Sequence, residues 1–324
     1  MQRRPEYCIF GILLLVMLLF SGCSSTRSLE SAPDKTSPGE LADFVQNAAE
    51  SAGRTTGPAA VEEFSRKPGP FAEGTLNIYA CGFNGTLLAH PQKADEVGTD
   101  MMNRTDIRGF PAIRVAAYAA SNGGGYYTYL SPEPAGGITD ETVRDSYIPK
   151  IGYSYPVDED WWIGSDIYIH ELAIDGKGLY PAAVEEMIAL VEEGVAYGRS
   201  HGEDDSFAEI SNRSGIFLDP EGHYLYAYDF NGTLLAHPYL TDSIGDNLIE
   251  MEDPFGMKMI RALSETAESG GGFIVFIWPN PDKENRLEQK IGYVMPVDEK
   301  WWVGSGVYLS EITGIDTSLP ALPH

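Results

Sequence analysis

Residues 83–91 read FNGTLLAHP, and residues 230–238 read FNGTLLAHP again, 147 positions later. Nine identical residues at a fixed offset indicate an internal duplication. The same offset relates the glycine triplet at 123–125 to the triplet at 270–272. The sequence is therefore predicted to contain two homologous domains.

A second set of repeated motifs follows at an offset of 140. KIGY at 150–153 recurs at 290–293, and WWIGS at 161–165 recurs as WWVGS at 301–305. The first copy must carry seven extra residues, which fall within 131–144. Their Pro, Gly and Thr content predicts a loop.

The repeats divide the chain into consecutive segments. The predicted boundaries are residues 1–22 for a signal peptide, 23–40 for a flexible tether, 41–176 for domain 1, 177–316 for domain 2 and 317–324 for a tail. Each domain is long enough to bury its own core, since single domains of roughly 100 to 150 residues are common.

Each domain repeats one order of predicted elements. A leading helix, at 41–53 or 182–197, precedes a hairpin that turns at Asn-Gly, because both turn positions accept positive φ. A further helix, at 110–120 or 255–268, precedes three more strands. The predicted strands are residues 77–83, 87–90, 126–130, 150–157 and 161–169 in domain 1, and 224–230, 234–237, 273–278, 290–297 and 301–309 in domain 2. This order predicts an α+β fold in which each domain has a leading helix and a mostly antiparallel five-stranded sheet.

Charge and cysteine content limit the function classes. The 324 residues carry 22 Lys and Arg against 48 Asp and Glu, a formal charge of −26. A surface this acidic repels phosphate backbones, so nucleic-acid binding is excluded. Cys8 falls in the signal peptide and Cys23 directly after it, which leaves Cys81 without a disulfide partner.

The N-terminus indicates the compartment. Arg3 and Arg4 precede the apolar run IFGILLLVMLLF at 9–20, which is followed by Ser-Gly-Cys. Small residues directly before a cysteine resemble the lipobox of bacterial and archaeal lipoproteins, which implies cleavage before Cys23 and a lipid on its sulfur. The alternative is an uncleaved short anchor or an unmodified cysteine. Because no second apolar stretch of about 18 residues exists, we expect the folded part on the periplasmic or cell-surface face of the membrane.

Several motifs recur in one order across residues 41–312. They are the run FSRKPGPFAEGTLNIYACGFNGTLLAHP at 64–91, Asp-x-x-Gly at 106–109 and 253–256, a Gly-rich turn before an aromatic strand, KIGY, and the Trp-Trp segments. Together they resemble the extracytoplasmic Cache domain in its single-Cache form, present here in tandem. The resemblance implies a PAS-like sheet that cups a small ligand, typically a carboxylate or an amino acid, as in chemoreceptors and kinases.

Four cations are candidates for holding such an anion. Arg114 and Arg261 lie in the helix predicted to face the sheet, where a guanidinium could clamp a carboxylate or pair with a surface acid instead. Lys150 and Lys290 open a strand, where an ammonium could bind an anion or solvate the sheet rim. The sequence leaves both alternatives open.

Two histidines end a strand directly before proline. His90 and His237 could each donate to a ligand, or cap the strand by bonding local backbone. Neither copy has a second His or a Cys at metal-ligand spacing. We therefore predict no metal and no cofactor.

Alternation along the strands decides which side chains share a face. Lys290 and Tyr293 must face opposite sides of a regular strand, so at most one of them reaches a ligand. In the last strand of domain 2, Trp302 and Tyr308 share a face with two glycines, which are predicted to leave room for a ligand. Domain 1 has Asp166 at one of these glycine positions, so an amine would be favoured there, or one site would be idle. The remaining aromatic candidates, whose alternative role is core filling, are Tyr129, Tyr153, Tyr168 and Trp278.

These observations favour a lipid-anchored extracytoplasmic protein that binds or senses a small organic metabolite, namely a carboxylate, an amino acid or an amine. Because the chain has no second apolar span, we expect it to act with a separate membrane receptor or transporter. A non-binding structural or interaction module on the cell surface is the alternative. An enzyme is not expected, because the chain has no Gly-x-Ser-x-Gly elbow, no His-Glu-x-x-His motif and no Gly-rich phosphate loop.

Overall fold

The computed structural model describes residues 35–73, 75–132, 147–173, 178–219 and 222–320. The described residues form one compact unit. The predicted signal peptide, the lipidation candidate Cys23 and most of the predicted insertion lie outside the described residues. Within the described part, no helix is both long enough and apolar enough to cross a membrane.

Domain 1 begins with two helices and continues into a sheet. Its elements are α1 (Pro38–Gly53), α2 (Gly57–Phe64), β1 (Ala72–Glu73), β2 (Leu76–Asn77), β3 (Tyr79–Gly82), β4 (Leu87–Ala89), α3 (Ala112–Ser121), β5 (Gly125–Pro132), β6 (Tyr147–Pro156) and β7 (Trp161–Tyr168). Strands β1 and β2 pair only with each other, outside the main sheet.

Domain 2 repeats the order of the helices and of the main-sheet strands, without an assigned counterpart of β1 and β2 among its described residues, and adds a short final helix. Its elements are α4 (Ala182–His201), α5 (Glu203–Ile210), β8 (Tyr226–Asp229), β9 (Leu234–Ala236), α6 (Met259–Glu268), β10 (Gly272–Asn280), β11 (Arg286–Pro296), β12 (Trp301–Tyr308) and α7 (Leu309–Thr313).

Both main sheets have the same topology. The strand order is β4-β3-β7-β6-β5 in domain 1 and β9-β8-β12-β11-β10 in domain 2, and neighbouring strands are antiparallel. Equivalent residues are in equivalent register, since Trp162 lies opposite Cys81 and Trp302 opposite Tyr228. The predicted α+β fold with a five-stranded antiparallel sheet in each domain is confirmed.

The leading helices α1 and α4 cover one face of their sheets. Ser37 and Glu40 start α1 with a capping box, in which each side chain bonds the other's backbone N–H. The last three residues of the predicted tether are therefore helical. In α4, Gly198 allows close approach to the sheet, because a Cβ there would lie 2.9 Å from the Trp301 ring.

The Asn-Gly turns differ from the predicted form. Gly85 and Gly232 have φ values of 90° and 87°, whereas Asn84 and Asn231 do not take positive φ. The side-chain oxygen of Asn84 instead accepts the Thr86 N–H at 3.1 Å. A register shift in each hairpin accompanies the turn, so the glycine alone needs the left-handed conformation.

The described part of the predicted tail, residues 317–320, is docked on domain 2. The Leu319 N–H donates to the Leu287 carbonyl at 2.8 Å, and the Thr317 hydroxyl donates to Glu288 at 2.5 Å. Residues 317–320 therefore belong to the folded domain.

The two domains meet where β5 contacts β10 and β11. Gln289 is fully buried there; its side-chain oxygen accepts the Thr128 N–H at 2.9 Å, and its amide donates to the Tyr126 carbonyl at 3.3 Å. These bonds satisfy backbone groups on the edge strand of domain 1. Tyr118 and Phe255 add an edge-to-face contact across the same interface, with ring centres 5.8 Å apart.

An ion cluster centred on the buried His223 links α7 to Asp219 within domain 2. His223 is 4% exposed and lies 2.7 Å from Asp219 and 3.3 Å from Glu311. Burial acts to lower the pKa of His223, but the hydrogen bond to Glu311 and the charge of Asp219 outweigh it and raise the pKa to about 9. The imidazole is therefore charged at neutral pH and bridges two carboxylates.

We predict that this cluster loses strength in alkaline solution. A histidine whose pKa is about 6.5 when unfolded and about 9 when folded contributes fully below pH 6.5, and its contribution is lost as the pH rises through 9. That contribution is on the order of 2 to 3 kcal/mol. Urea unfolding from pH 6 to 10 should show a stability difference between wild type and His223→Gln that shrinks with rising pH. A difference that stays constant would mean that folding does not raise the pKa of His223.

Candidate functional site

Each sheet has a hollow on the face opposite its leading helix. In domain 2 this is a cavity of about 290 Å³, its solvent-facing mouth included, between the sheet and α6. We call it cup 2, and its lining residues are Tyr224, Tyr226, Tyr228, His237, Ile260, Leu263, Phe276, Trp278 and Lys290. Most of this wall is aromatic or aliphatic, so its polarity is concentrated in a few groups.

Lys290 is the charged residue in the wall of cup 2. It is 2% exposed, and Nζ lies 3.3 Å from the Tyr224 hydroxyl and about 4.5 Å from the ring centres of Tyr224 and Tyr308. Among the described residues, no carboxylate lies within 4 Å of this ammonium, and the acid two positions earlier, Glu288, is 3.2 Å from Lys283. Aromatic faces recover only part of the cost of burying a charge. The site therefore favours an anion beside Lys290.

His237 presents an N–H to cup 2. Its Nδ1 accepts the backbone N–H groups of Tyr239 and Leu240 at 3.0 and 3.1 Å, so we assign the proton to Nε2. Burial, helped by the charge of Lys290, lowers the pKa of His237 to about 3. The imidazole is a neutral donor at physiological pH. Both roles considered for this histidine are thus compatible, because one nitrogen caps the strand and the other remains for the cup.

Tyr226 brings a hydroxyl that lacks a partner among the described residues. The side chain is buried, at 6% exposure. The equivalent Tyr79 in domain 1 shares a hydrogen bond with Tyr127, whereas domain 2 has Ile274 at that position. A buried hydroxyl without a partner costs about 1 to 3 kcal/mol. A ligand oxygen in cup 2 would satisfy it.

The glycines of β12 do not leave room for a ligand, contrary to the sequence prediction. A Cβ at Gly304 would lie 2.8 Å from the Tyr226 ring, and one at Gly306 would lie 2.8 Å from Cε of Lys290. The space is taken by these two side chains, which lie against the strand. Trp302 stacks on Tyr228 with ring centres 5.2 Å apart, so it supports the wall and does not line the cavity.

The equivalent hollow in domain 1 is wider. This cup 1 measures about 1270 Å³ with open solvent included, and its wall contains Tyr79, His90, Tyr129, Ser131 and Asp166. Smaller residues account for the width, because Ser131 occupies the position of the tryptophan that closes cup 2.

The lysine of domain 1 that is equivalent to Lys290 is paired within the protein. Lys150 Nζ lies 2.5 Å from one oxygen of Asp166, and the Tyr129 hydroxyl donates to the other oxygen at 3.1 Å. Burial disfavours the charged lysine, but Asp166 outweighs this effect and raises the pKa of Lys150. Tyr168 places its ring 4.4 Å from Nζ, as Tyr308 does in domain 2. Because Asp166 is paired, the reason to expect an amine beside it disappears.

Neither predicted arginine lies in a cup. Arg261 pairs with Glu250 and its side chain is 44% exposed. The charge of Arg114 acts on Asp253 of the other domain. The inward positions of α6 belong to the aliphatic residues of cup 2, which leaves Arg261 on the outer side.

Tyr153 and Tyr293 face away from the cups. Tyr153 accepts a hydrogen bond from Gln46 of α1 at 2.9 Å, and Tyr293 packs edge-to-face on Phe273 with ring centres 5.1 Å apart. Lys290 lines cup 2, whereas Tyr293 lies on the opposite face of the sheet, as strand alternation requires.

The Asp-x-x-Gly pairs anchor turns. Asp106 accepts the N–H groups of Arg108 and Phe110 at 2.9 Å and that of Leu130 at 3.0 Å, and Asp253 has a similar role in domain 2. Within the described ranges, no three His, Cys, Asp or Glu side chains converge as metal ligands would. The absence of a metal and of a cofactor stays a prediction.

The structure brings part of the predicted set together. Cup 2 contains His237, Trp278 and Lys290, and cup 1 contains His90, Tyr129 and Asp166. Sequence reasoning missed the tyrosines at 224 and 226, which line cup 2. The signal was present in the alternation Tyr-Leu-Tyr-Ala-Tyr at 224–228, because every second residue of a strand faces the same side.

Known families match the same two segments. A family model described as Single Cache domain 2 matches residues 185–316, and one described as Cache domain matches residues 72–173. The chain carries two Cache domains in tandem. Cache domains are extracytoplasmic domains that sense small molecules in chemoreceptors and kinases.

Individual relatives cover parts of the chain. The sensor histidine kinase MctS of Rhizobium johnstonii is 34% identical over 90 residues, which are 28% of this chain and 19% of the kinase. A methyl-accepting chemotaxis protein from Vibrio parahaemolyticus is 24% identical with a TM-score of 0.35, covering 40% of this chain and 91% of that chain. The ligand-binding domain of the Pseudomonas fluorescens chemoreceptor CtaA, solved with L-alanine, is 12% identical with a TM-score of 0.26, covering 84% and 88%.

We predict opposite stability effects for the two equivalent tyrosines of the Cache domains. Tyr226→Phe removes a buried hydroxyl that has no protein partner, so the free energy of unfolding should stay the same or rise by about 1 kcal/mol. Tyr79→Phe breaks the bond to Tyr127 and should lower it by about 1 kcal/mol. Urea unfolding of both variants without added ligand measures the difference. Equal losses would mean that the Tyr226 hydroxyl is already satisfied.

Proposed function

We propose that domain 2 senses a short monocarboxylic acid in cup 2. The observation that carries the proposal is the buried ammonium of Lys290, which has no carboxylate partner among the described residues. The Nε2 proton of His237 and the hydroxyl of Tyr226 supply two further donors. A carboxylate beside Lys290 would receive charge-assisted hydrogen bonds in a site whose wall is largely apolar.

The size of cup 2 supports a small ligand. The space of about 290 Å³, which includes the open mouth, is smaller than typical small-molecule sites of roughly 300 to 1,000 Å³, so only a ligand of a few heavy atoms would fit. Ile260, Leu263, Phe276 and Trp278 form an apolar surround suited to a short aliphatic chain. An acid of two to four carbons fits this combination of one charge and a short apolar tail.

The charges in the wall support a monocarboxylate over other anions. Lys290 is the one cation among the nine lining residues, so a second carboxylate would be buried unpaired. The same nine residues include no Asp or Glu, so the ammonium of an amino acid would also lack a partner. Dicarboxylates and amino acids should therefore bind more weakly.

We further propose that the chain is held at the membrane by a lipid on Cys23 and relays ligand binding through a separate membrane receptor or transporter. The proposal rests on the short apolar run before Cys23 and on the sequence's lack of a second such run. The rival reading is a non-binding surface module. It is supported by the contacts of Lys290 with Tyr224 and Tyr308, which already stabilise the cation to some extent. We propose no catalytic activity.

Replacing the cup cation tests the binding function. Lys290→Met keeps most of the side-chain volume and removes the charge, so the affinity for propionate should fall about 10- to 100-fold, since hydrogen bonds to charged groups contribute about 1.5 to 3 kcal/mol. Isothermal titration calorimetry with acetate, propionate and butyrate measures the effect, with succinate and L-alanine as comparison ligands.

Lys150→Met is the matched control, because it removes the equivalent cation from domain 1. Its propionate affinity should equal that of the wild type. Unchanged affinity in Lys290→Met, or an equal loss in both variants, would contradict the assignment of cup 2. A wild-type chain that binds none of the acids would favour the non-binding module.

Lipid anchoring has its own test. In cells that process lipoproteins, Cys23→Ala should abolish incorporation of labelled fatty acid and move the protein from the membrane fraction to the soluble fraction. Cys81→Ala should change neither result, because Cys81 is buried in the fold. Membrane retention of unlabelled Cys23→Ala would point to the apolar run at 9–20 as an uncleaved anchor.

A further inference from the structure

Lys150 and Lys290 occupy equivalent places in the two sheets. Each lies opposite the tyrosine that ends the last strand, Tyr168 or Tyr308, and each ammonium is 4.4 Å from the centre of that ring. The lysines differ in their acid. Lys150 contacts a carboxylate of its own domain, whereas no carboxylate of the described residues contacts Lys290.

The difference arises at one position of the last strand. By strand register, Asp166 of β7 is equivalent to Gly306 of β12. Asp166 places one oxygen 2.5 Å from Lys150 and receives the Tyr129 hydroxyl on the other at 3.1 Å. The carboxylate thus has an ammonium on one oxygen, a hydroxyl on the other and an aromatic ring beside the cation.

We propose that Asp166 is a built-in substitute for the carboxylate of the ligand, and that cup 1 therefore does not bind the acid that cup 2 binds. This inference rests on the proposed binding of a carboxylate at Lys290. Domain 1 would be held permanently in the charge state that domain 2 reaches only with its ligand. The tandem would then respond to one equivalent of acid.

Because Asp166 is part of the chain, it competes for Lys150 more effectively than a free acid does. The side chain is beside Lys150 at every ligand concentration, whereas a free acid must lose translational freedom to reach the same place. A free acid could pair with Lys150 only by displacing Asp166, whose side chain is 15% exposed and would be left without its cation.

No equivalent substitute exists among the acids described near Lys290. The nearest along the strand, Glu288, is fully buried and already engaged by Asn280, Ser310, Thr317 and Lys283. Its charge is therefore committed to holding the C-terminal segment on the sheet.

A reciprocal exchange tests the inference on the full chain, with sodium propionate as the probe. Calorimetric titration should give one equivalent bound by the wild type, two by Asp166→Gly, none by Gly306→Asp and one by the double variant. Asp166→Asn is the control for volume, because its amide keeps the space filled and should leave the count at one. Circular dichroism of each variant checks that the fold is retained.

The outcomes separate this inference from the proposed function. One equivalent in both the wild type and folded Asp166→Gly would overturn the inference and leave the proposed function standing. No binding in either would overturn both. If Asp166→Gly does not fold, the Gly306→Asp variant tests the inference instead. Propionate binding by Gly306→Asp at the wild-type level would overturn the proposal that a carboxylate at this position replaces the ligand.

The charge itself has a separate readout in domain 2. Gly306→Asp should melt at a higher temperature than Gly306→Asn at neutral pH, and this difference should vanish in acid as the new carboxylate is protonated. Equal melting temperatures at neutral pH would mean that the new carboxylate does not pair with Lys290, which would overturn the proposed equivalence.

Discussion

The buried ammonium of Lys290 determines the arrangement of the groups around it. Its stem lies against Gly306, where a Cβ would come within 2.8 Å of Cε, and its head lies near the rings of Tyr224 and Tyr308. Its charge also helps to keep His237 neutral, so that the imidazole can donate to a ligand without adding a second cation. The proposed anion would complete this arrangement, because a charge in an apolar wall is costly until it is paired.

The two domains share one fold but differ in what surrounds the buried charge of their equivalent lysines. Domain 1 pairs its lysine internally through Asp166, whereas the described part of domain 2 places no carboxylate beside Lys290. The strand that holds the cation of cup 2 also holds the domain interface, since Gln289 and Lys290 are consecutive and face opposite sides of β11. The proposed binding site and the contact with domain 1 are therefore one residue apart.

Repetition made the fold predictable, while the site depended on contacts that a pattern cannot show. The offsets of 147 and 140 aligned every strand of the two sheets, and alternation placed Lys290 and Tyr293 on opposite faces. The sequence could not reveal which helix face is turned inward, so Arg261 was expected in a cup that aliphatic residues line. Nor could it reveal that the glycines of β12 accommodate Tyr226 and Lys290, because that space depends on rotamers of the neighbouring strands.

The most direct test is a crystal structure of the protein with propionate. The account predicts a carboxylate in cup 2, with one oxygen within hydrogen-bonding distance of Lys290 Nζ and an oxygen near His237 Nε2 or the Tyr226 hydroxyl, while Asp166 stays on Lys150. Propionate bound in cup 1 or beside Arg261, or a cup 2 in which Lys290 has turned to pair with a protein carboxylate, would contradict it.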